Sequence, residues 1–211
     1  DTIVRQVGDL RRIVDEFSSF ARMPKPLFRP ESLLDIARQA MFLHEVAHPA
    51  IRFELHAPEN PPALVCDRRQ IGQALTNVIK NAVEAIEARA KGEGLPQGEV
   101  SLTIAVEGER GVMLTVADNG IGLPAERNRI VEPYMTTRER GTGLGLAIVK
   151  KIVEEHFGTI AFADRAGGGT QVTLCFDTEL LAGLAAKGEE IESDEGAEPR
   201  PAALTRTGKK S

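Results

Sequence analysis

The sequence predicts an α+β fold, a two-layer sandwich with helices on one face of a mostly antiparallel sheet, preceded by one long helix. Three observations predict it. A heptad seam fills the first 22 residues, and later helical patterns are interleaved with strand-like segments. Four of those segments come in two pairs, each pair joined by a glycine-bearing turn. Helices and hairpins mixed in this way need a shared apolar layer between them.

From Ile3 the apolar residues recur as Ile3, Val7, Leu10, Val14, Phe17 and Ala21, in alternating steps of four and three. That is a heptad seam, and Ile13 and Phe20 widen it to the stripe of a helix inside a bundle. Pro24 and Pro26 in MPKP stop the helix. So long an amphipathic helix cannot bury its seam alone; it calls for partner helices, or else folds back on its own domain. After Pro30 a second helical pattern runs from Ser32 to about His44, with Leu33, Leu34, Ile36, Ala37 and Ala40 apolar. IRFELHA (51–57) alternates as a strand does. Asp67 is a good N-cap for a helix through Glu87, with Ile71, Leu75, Val78, Ala82 and Ile86 on its buried face.

KGEGLPQG (91–98) reads as a loop. VSLTIAVEG and GVMLTVAD then form a hairpin around the turn at Glu107–Gly111. A long polar segment, Pro124 to Gly141, leads to RGTGLGL and a helix to about His156. TIAFAD and TQVTLCF make a second hairpin around Gly167–Gly169. From Gly183 the composition turns to Glu, Gly, Pro and Ala, which predicts a disordered tail.

Composition narrows the function classes. With no Trp and one Tyr, the core rests on Leu, Ile, Val and Ala. A net charge of -5 disfavours a nucleic-acid partner. Cys66 and Cys175 stand far apart, which suits buried thiols in a reducing compartment better than a disulfide framework or a zinc site. No signal peptide or membrane-length apolar run is present, so the chain by itself is expected to be soluble. It starts without Met, inside a helical pattern, and reads as a piece of a longer protein.

Several motifs carry chemistry. Asn77 and Asn81 lie one helical turn apart at the edge of the apolar stripe. An amide oxygen there can bind a hard cation such as magnesium or serve as a polar boundary group. DNGIGL, Asp118 to Leu123, follows a strand directly. Its carboxylate could accept from an exocyclic amine such as that of adenine, or could be turn chemistry alone. RGTGLGLAIVKKI crowds Gly141, Gly143 and Gly145 ahead of an apolar helix, either as a flexible turn or as backbone that closes on an anion.

Taken together and in order, Asn77-x-x-x-Asn81, DNGIG, PYMTT (133–137), RGTGLGL and GGGT (167–170) closely resemble the ATP-binding domain of histidine kinases. That domain belongs to the GHKL superfamily shared with gyrase, the heat-shock chaperone ATPase and MutL. The resemblance covers roughly Pro30 to Asp177. The opening LRRIVDEFSSFARMPKP resembles the second helix of the dimerisation bundle in the same kinases, and the wording is closest to nitrogen-regulation sensor kinases of the NtrY type.

The resemblance implies a mixed-sheet GHKL (Bergerat) ATP-binding fold and three parts: an incomplete bundle helix at 1–24, a catalytic domain at 30–178 and a tail at 183–211. It implies Asn81 as the Mg2+ ligand, with Asn77 lining the same pocket and Lys80 reaching a phosphate. Asp118 would read adenine, with Gly120 and Gly122 giving it room and Thr170 supporting it. Pro124 to Thr142 would be the ATP lid, packed by Tyr134 and Met135. Gly141, Thr142, Gly143, Leu144 and Gly145 would close over the phosphates. ATP and Mg2+ are the implied substrate and metal. A response regulator is the implied protein partner, and a homodimer through the bundle helices is implied for the full-length protein. The implied location is the cytoplasmic side of an inner-membrane-anchored bacterial sensor, with any membrane segment upstream.

The ATPases of the superfamily place a Glu base at the position of Asn77. A neutral amide cannot be that base, so the site looks built to hand phosphate to another nucleophile. The sequence lacks GxxxxGK[ST] and is no P-loop protein. Two rivals remain: a non-catalytic regulator that keeps the fold, which would fail to bind nucleotide, and a gyrase-type machine, which would hydrolyse ATP steadily. The phosphoacceptor histidine is expected upstream of residue 1. HEVAHP (44–49) matches both H-E-x-x-x-P and HExxH, yet it falls at a helix end before Pro49 with no third zinc ligand evident. Solvated helix-end histidines are the expectation there.

Overall fold

A computed structural model describes residues 22–89, 96–124 and 143–183, together with 7, 8, 11, 14, 17, 18 and 130. Five strands form one sheet in the order β2-β4-β5-β7-β6, made of Ile51–His56, Gly98–Glu107, Gly111–Asp118, Thr170–Asp177 and Thr159–Asp164. Strand pairs β4–β5, β5–β7 and β6–β7 are antiparallel, whereas β2–β4 is parallel, so the sheet is mixed. Strict alternation along the central strands buries Val100, Leu102 and Ile104, then Val112, Leu114 and Val116, then Val172, Leu174 and Phe176. Their neighbours on the other face are mostly half-buried. Helices therefore cover one face, the layering that the sequence predicts.

Helix α1 (Leu33–Ala47) is capped by Ser32, whose hydroxyl accepts the Asp35 N–H at 3.2 Å. It runs three residues past the expected end at His44. The limit set by Pro49 acts on the residue before it, and His48 leaves the helical region there with φ -130 and ψ 66. Helix α2 (Arg68–Glu87) starts where Asp67 accepts the Gln70 N–H at 3.0 Å. Helix α3 (Gly145–Glu155) ends at His156, as the sequence predicts. Two short strands, β1 (Arg29–Ser32) and β3 (Ala63–Cys66), pair antiparallel in a separate ribbon. Four residues each, one holding Pro30, give no readable alternation. Residues 178–183 are helical, and Leu181 seals the core from that side.

Positions 7, 8, 11, 14, 17 and 18 are helical, and the seam residues Val7, Val14 and Phe17 are exposed. Cys66 is buried, but Cys175 is only half-buried, because alternation sends it to the open face of β7. Among the described residues no helix is long and apolar enough to cross a membrane.

The histidines of HEVAHP depart from the expected solvated state. Because α1 continues through His44, its ring faces α2 and its Nε2 is buried. His48 stacks on it with ring centroids 6.3 Å apart and places Nδ1 3.3 Å from Glu87. Among the described residues no three His, Cys, Asp or Glu are grouped to hold a metal.

Burial sets the pH window of stability. Desolvation pulls His44 and His156 below the ordinary histidine value of 6.5, and it pushes the Cys66 thiol up to about 12 from 9.0. Below 6.5 the unfolded chain binds protons that these folded histidines refuse, so stability falls with pH. Above 9.0 the unfolded thiol ionises while the folded one does not, so stability falls again. The melting temperature is therefore expected to plateau between those limits. A melting temperature that climbs on acidification below 6.5 would contradict this account.

Candidate nucleotide-binding site

The site is built at the end of β5. Asp118 continues the phase of Val112, Leu114 and Val116, so its carboxylate points into the helix-covered face and is 5% exposed. A buried carboxylate needs donors. Its Oδ1 accepts the Gly120 N–H at 2.8 Å and the Thr170 N–H at 3.4 Å. Since Ala117 pairs with Gln171, Thr170 begins β7 beside the residue that ends β5. Thr170 is itself 9% exposed. The structure thus brings together Asp118 and Thr170, the two residues that the resemblance links.

Glycines let other backbone close around this carboxylate. A Cβ on Gly120 would lie 2.6 Å from the Ala85 backbone, and the adjoining Ile121 N–H donates to the Ala85 carbonyl at 3.1 Å. The room at Gly120 is thus filled by α2, one turn beyond Asn81. A Cβ on Gly169 would overlap the Asp118 carbonyl, and Gly169 holds φ at +102. Gly122 adopts φ +83 as the loop leaves the site.

Asn119 was not singled out by the sequence, although it sits in DNGIGL. Its side chain accepts the Glu99 N–H at 2.9 Å and donates to the Gln97 carbonyl at 2.8 Å. It extends the β4–β5 ladder by one side chain and so fixes the loop after Asp118. Glu99 is clamped in turn by Arg52 at 2.7 Å and by Arg165 from the β6–β7 turn. The Arg52 hydrogen bond, aided by Arg165, holds its carboxyl below the usual range. Two hairpins and the edge strand are tied together beside Asp118.

Helix α2 brings the amides. Asn77 and Asn81 are both half-buried, as their place at the stripe edge predicts, and Lys80 is exposed. The Asn77 Nδ2 donates to the Gly145 carbonyl at 3.5 Å, which joins α2 to the first turn of α3. Gly143 holds φ +70, and Leu144 is fully buried. Among the described residues no side chain caps α3, so its first amides point out of the helix start with no side-chain acceptor supplied by its own N-cap. Tyr134, Met135, Gly141 and Thr142 lie outside the described residues, as does most of the lid segment.

Helices on one face of a mixed five-stranded sheet, with a buried aspartate and two helix amides near one end, define a recognisable class of domain. The chain belongs to the histidine kinase-, DNA gyrase B- and HSP90-like ATPase family, whose sequence profile matches residues 66–180, and it carries that family's ATP-binding domain. It is 51% identical over 181 residues to nitrogen regulation protein NtrY of Azorhizobium caulinodans, covering 85% of this chain and 23% of that protein. Full-length ShkA in complex with AMPPNP superposes with a TM-score of 0.70 at 28% identity, covering 84% of this chain and 38% of that one. Histidine kinase ThkA in complex with the response regulator protein TrrA gives 0.67 at 25% identity, covering 84% and 49%. The chain spans about a quarter of the length of the curated relatives it matches.

Proposed function

We propose that this chain is the catalytic part of a two-component sensor histidine kinase. It binds ATP and transfers the γ-phosphoryl group to a histidine nitrogen on an upstream bundle helix, with ADP leaving; a response-regulator aspartate receives the phosphoryl group next. The observation that carries the reading is Asp118: a buried carboxylate, steadied by two backbone amides, at the position where the family resemblance expects the adenine amine. In this reading residues 1–24 belong to the dimerisation bundle, 30–178 form the catalytic domain and 183–211 form a tail. The exposed Val7, Val14 and Phe17 supply the bundle seam that would pair in a homodimer.

The donor set fits magnesium. A hard cation held mainly by phosphate oxygens and water needs only one or two protein oxygens, and Asn81 would provide one. When bound, the ion neutralises charge on the phosphates. Asn77 supplies no base for water, which supports transfer to a protein nucleophile over ATP hydrolysis. Calorimetric titration with ADP and magnesium tests the assignment. Asn81→Ala is expected to weaken metal-dependent binding about 10- to 100-fold. Wild-type affinity in this variant would remove Asn81 from the site.

Gly145 offers a cleaner test of the glycine segment. A Cβ there meets nothing within 4 Å, and Val is a better helix former than Gly. Gly145→Val is expected to keep or raise the melting temperature while lowering nucleotide affinity about tenfold, through lost close approach to phosphate. Unchanged affinity would make Gly145 an ordinary helix start.

A further inference from the structure

The segment between the long helix and β1 is fastened to the domain at three points within five residues. The Pro24 carbonyl accepts Gln70 Nε2 at 2.8 Å. The Leu27 N–H donates to Asp67 Oδ2 at 3.1 Å. The Phe28 ring stands edge-on to His156 with centroids 5.3 Å apart. The three groups that receive this strap are themselves deeply buried: Asp67 is 6% exposed, Gln70 and His156 0%.

Asp67 works in three directions at once. Its Oδ1 caps α2 through the Gln70 N–H, its Oδ2 holds the strap, and its own N–H donates to His156 Nε2 at 3.1 Å. His156 closes α3, with Nδ1 2.8 Å from the Ile152 carbonyl. The root of α2, the end of α3 and the strap therefore meet in one polar knot. Followed outward, α2 leads to Asn77 and α3 leads back to Gly145, and Asn77 touches the Gly145 carbonyl. Knot, α2, nucleotide residues and α3 form a closed loop of rigid parts, and the strap enters it at the knot.

We propose that Asp67, Gln70 and His156 are positioning residues that couple the seating of the strap, residues 24–28, to nucleotide affinity at Asn77, Asn81 and Asp118. This rests on the nucleotide-site reading above. A helix is stiff along its length, so a shift at the shared root moves Asn77 against Gly145 at the far end. Gln70 Oε1 is buried without a hydrogen-bond partner among the described residues, so the seated strap leaves one polar group unsatisfied. That lowers the cost of unseating. Coupling of this kind is reciprocal: strap release weakens nucleotide binding, and bound nucleotide holds the strap down by the same factor.

The test uses the whole chain, calorimetry with ADP and magnesium, and hydrogen exchange at the Leu27 amide. Asp67→Asn keeps an oxygen to cap α2, since Asn caps as well as Asp, but its amide nitrogen cannot accept from Leu27. Gln70→Met removes the bond to Pro24 with little change in volume. The double variant is expected to lose about tenfold in affinity and to exchange Leu27 quickly with or without nucleotide. In the wild type, nucleotide is expected to slow Leu27 exchange. Val112→Ala, a core change at the other end of β5 from Asp118, serves as the comparator for lost stability alone. If it costs as much affinity per degree of melting temperature as the double variant, the knot is merely structural and the proposal is overturned. Leu27 exchange indifferent to nucleotide in a wild type that binds it also overturns the proposal. A wild type that binds no nucleotide at all overturns the nucleotide reading itself, and the coupling falls with it.

Discussion

Replacing Asp118 by Asn is expected to lower ATP and ADP affinity about 100-fold while the domain stays folded. The magnitude follows from a buried acceptor being exchanged for a donor opposite an amine donor, which loses one hydrogen bond and leaves two polar groups facing without a partner. Asn is the informative choice. It retains an oxygen for the Gly120 and Thr170 amides, which Asp118 accepts at 2.8 and 3.4 Å. Ala would strip both amides of their acceptor and mix a folding defect into the result. Competition with GTP adds a second readout, because a site that reads the exocyclic amine should lose its preference for adenine in Asp118→Asn. Wild-type affinity with unchanged base preference would take Asp118 out of nucleotide recognition.

An all-or-none result is expected from labelled ATP. The isolated chain should bind nucleotide with magnesium yet acquire no acid-labile phosphate, and it should slowly phosphorylate a separate bundle fragment supplied in trans. The slowness comes from the missing tether, which would otherwise supply a high effective concentration of acceptor. The absence of self-labelling follows from where His44 sits. Its Nε2 is buried against α2, its ring meets the Thr76 backbone and His48, and burial lowers its pKa. A side chain packed into the helix layer cannot swing out to a γ-phosphate bound by its own domain. Acid-labile label that disappears in His44→Gln would make HEVAHP an acceptor site and sink the assignment of the acceptor to an upstream helix.

The parts of the fold legible in the sequence are those set by local periodicity. The cap at Asp67, the two hairpins and the end of α3 at His156 all follow from spacing and turn chemistry within a few residues. Asp118 was marked in the sequence by DNGIGL at a strand end and by its place among the other motifs of the family. Its core-facing phase in β5 is visible only in the structure. What escaped the sequence depends on distant partners. The ribbon of β1 and β3 exists because residues near 30 meet residues near 65, and the parallel pairing of β2 joins segments from opposite ends of α2. The same holds for the Gln70 and Asp67 contacts with the strap, across 46 and 40 residues. The reason for Gly120 was only half legible. DNG marks a turn, but nothing local announces that the Ala85 backbone fills the space beside it.

The parallel strand at the sheet edge also sets the order in which the domain assembles. Both hairpins close over a few residues, whereas Arg52 and Glu99 lie 47 positions apart in the chain, with all of α2 between them. Closing so long a loop costs chain entropy before any of its contacts form, and such steps come late in folding. The hairpins and α2 can build a template first, onto which β2 zips last. As the final arrival, β2 is also the piece that detaches most cheaply, and when it does, the flank of β4 becomes a bare row of amides and carbonyls. While β2 stays in place, Arg52 and Glu54 give the outer rim of the sheet a charged fringe, which hinders two copies from annealing edge to edge.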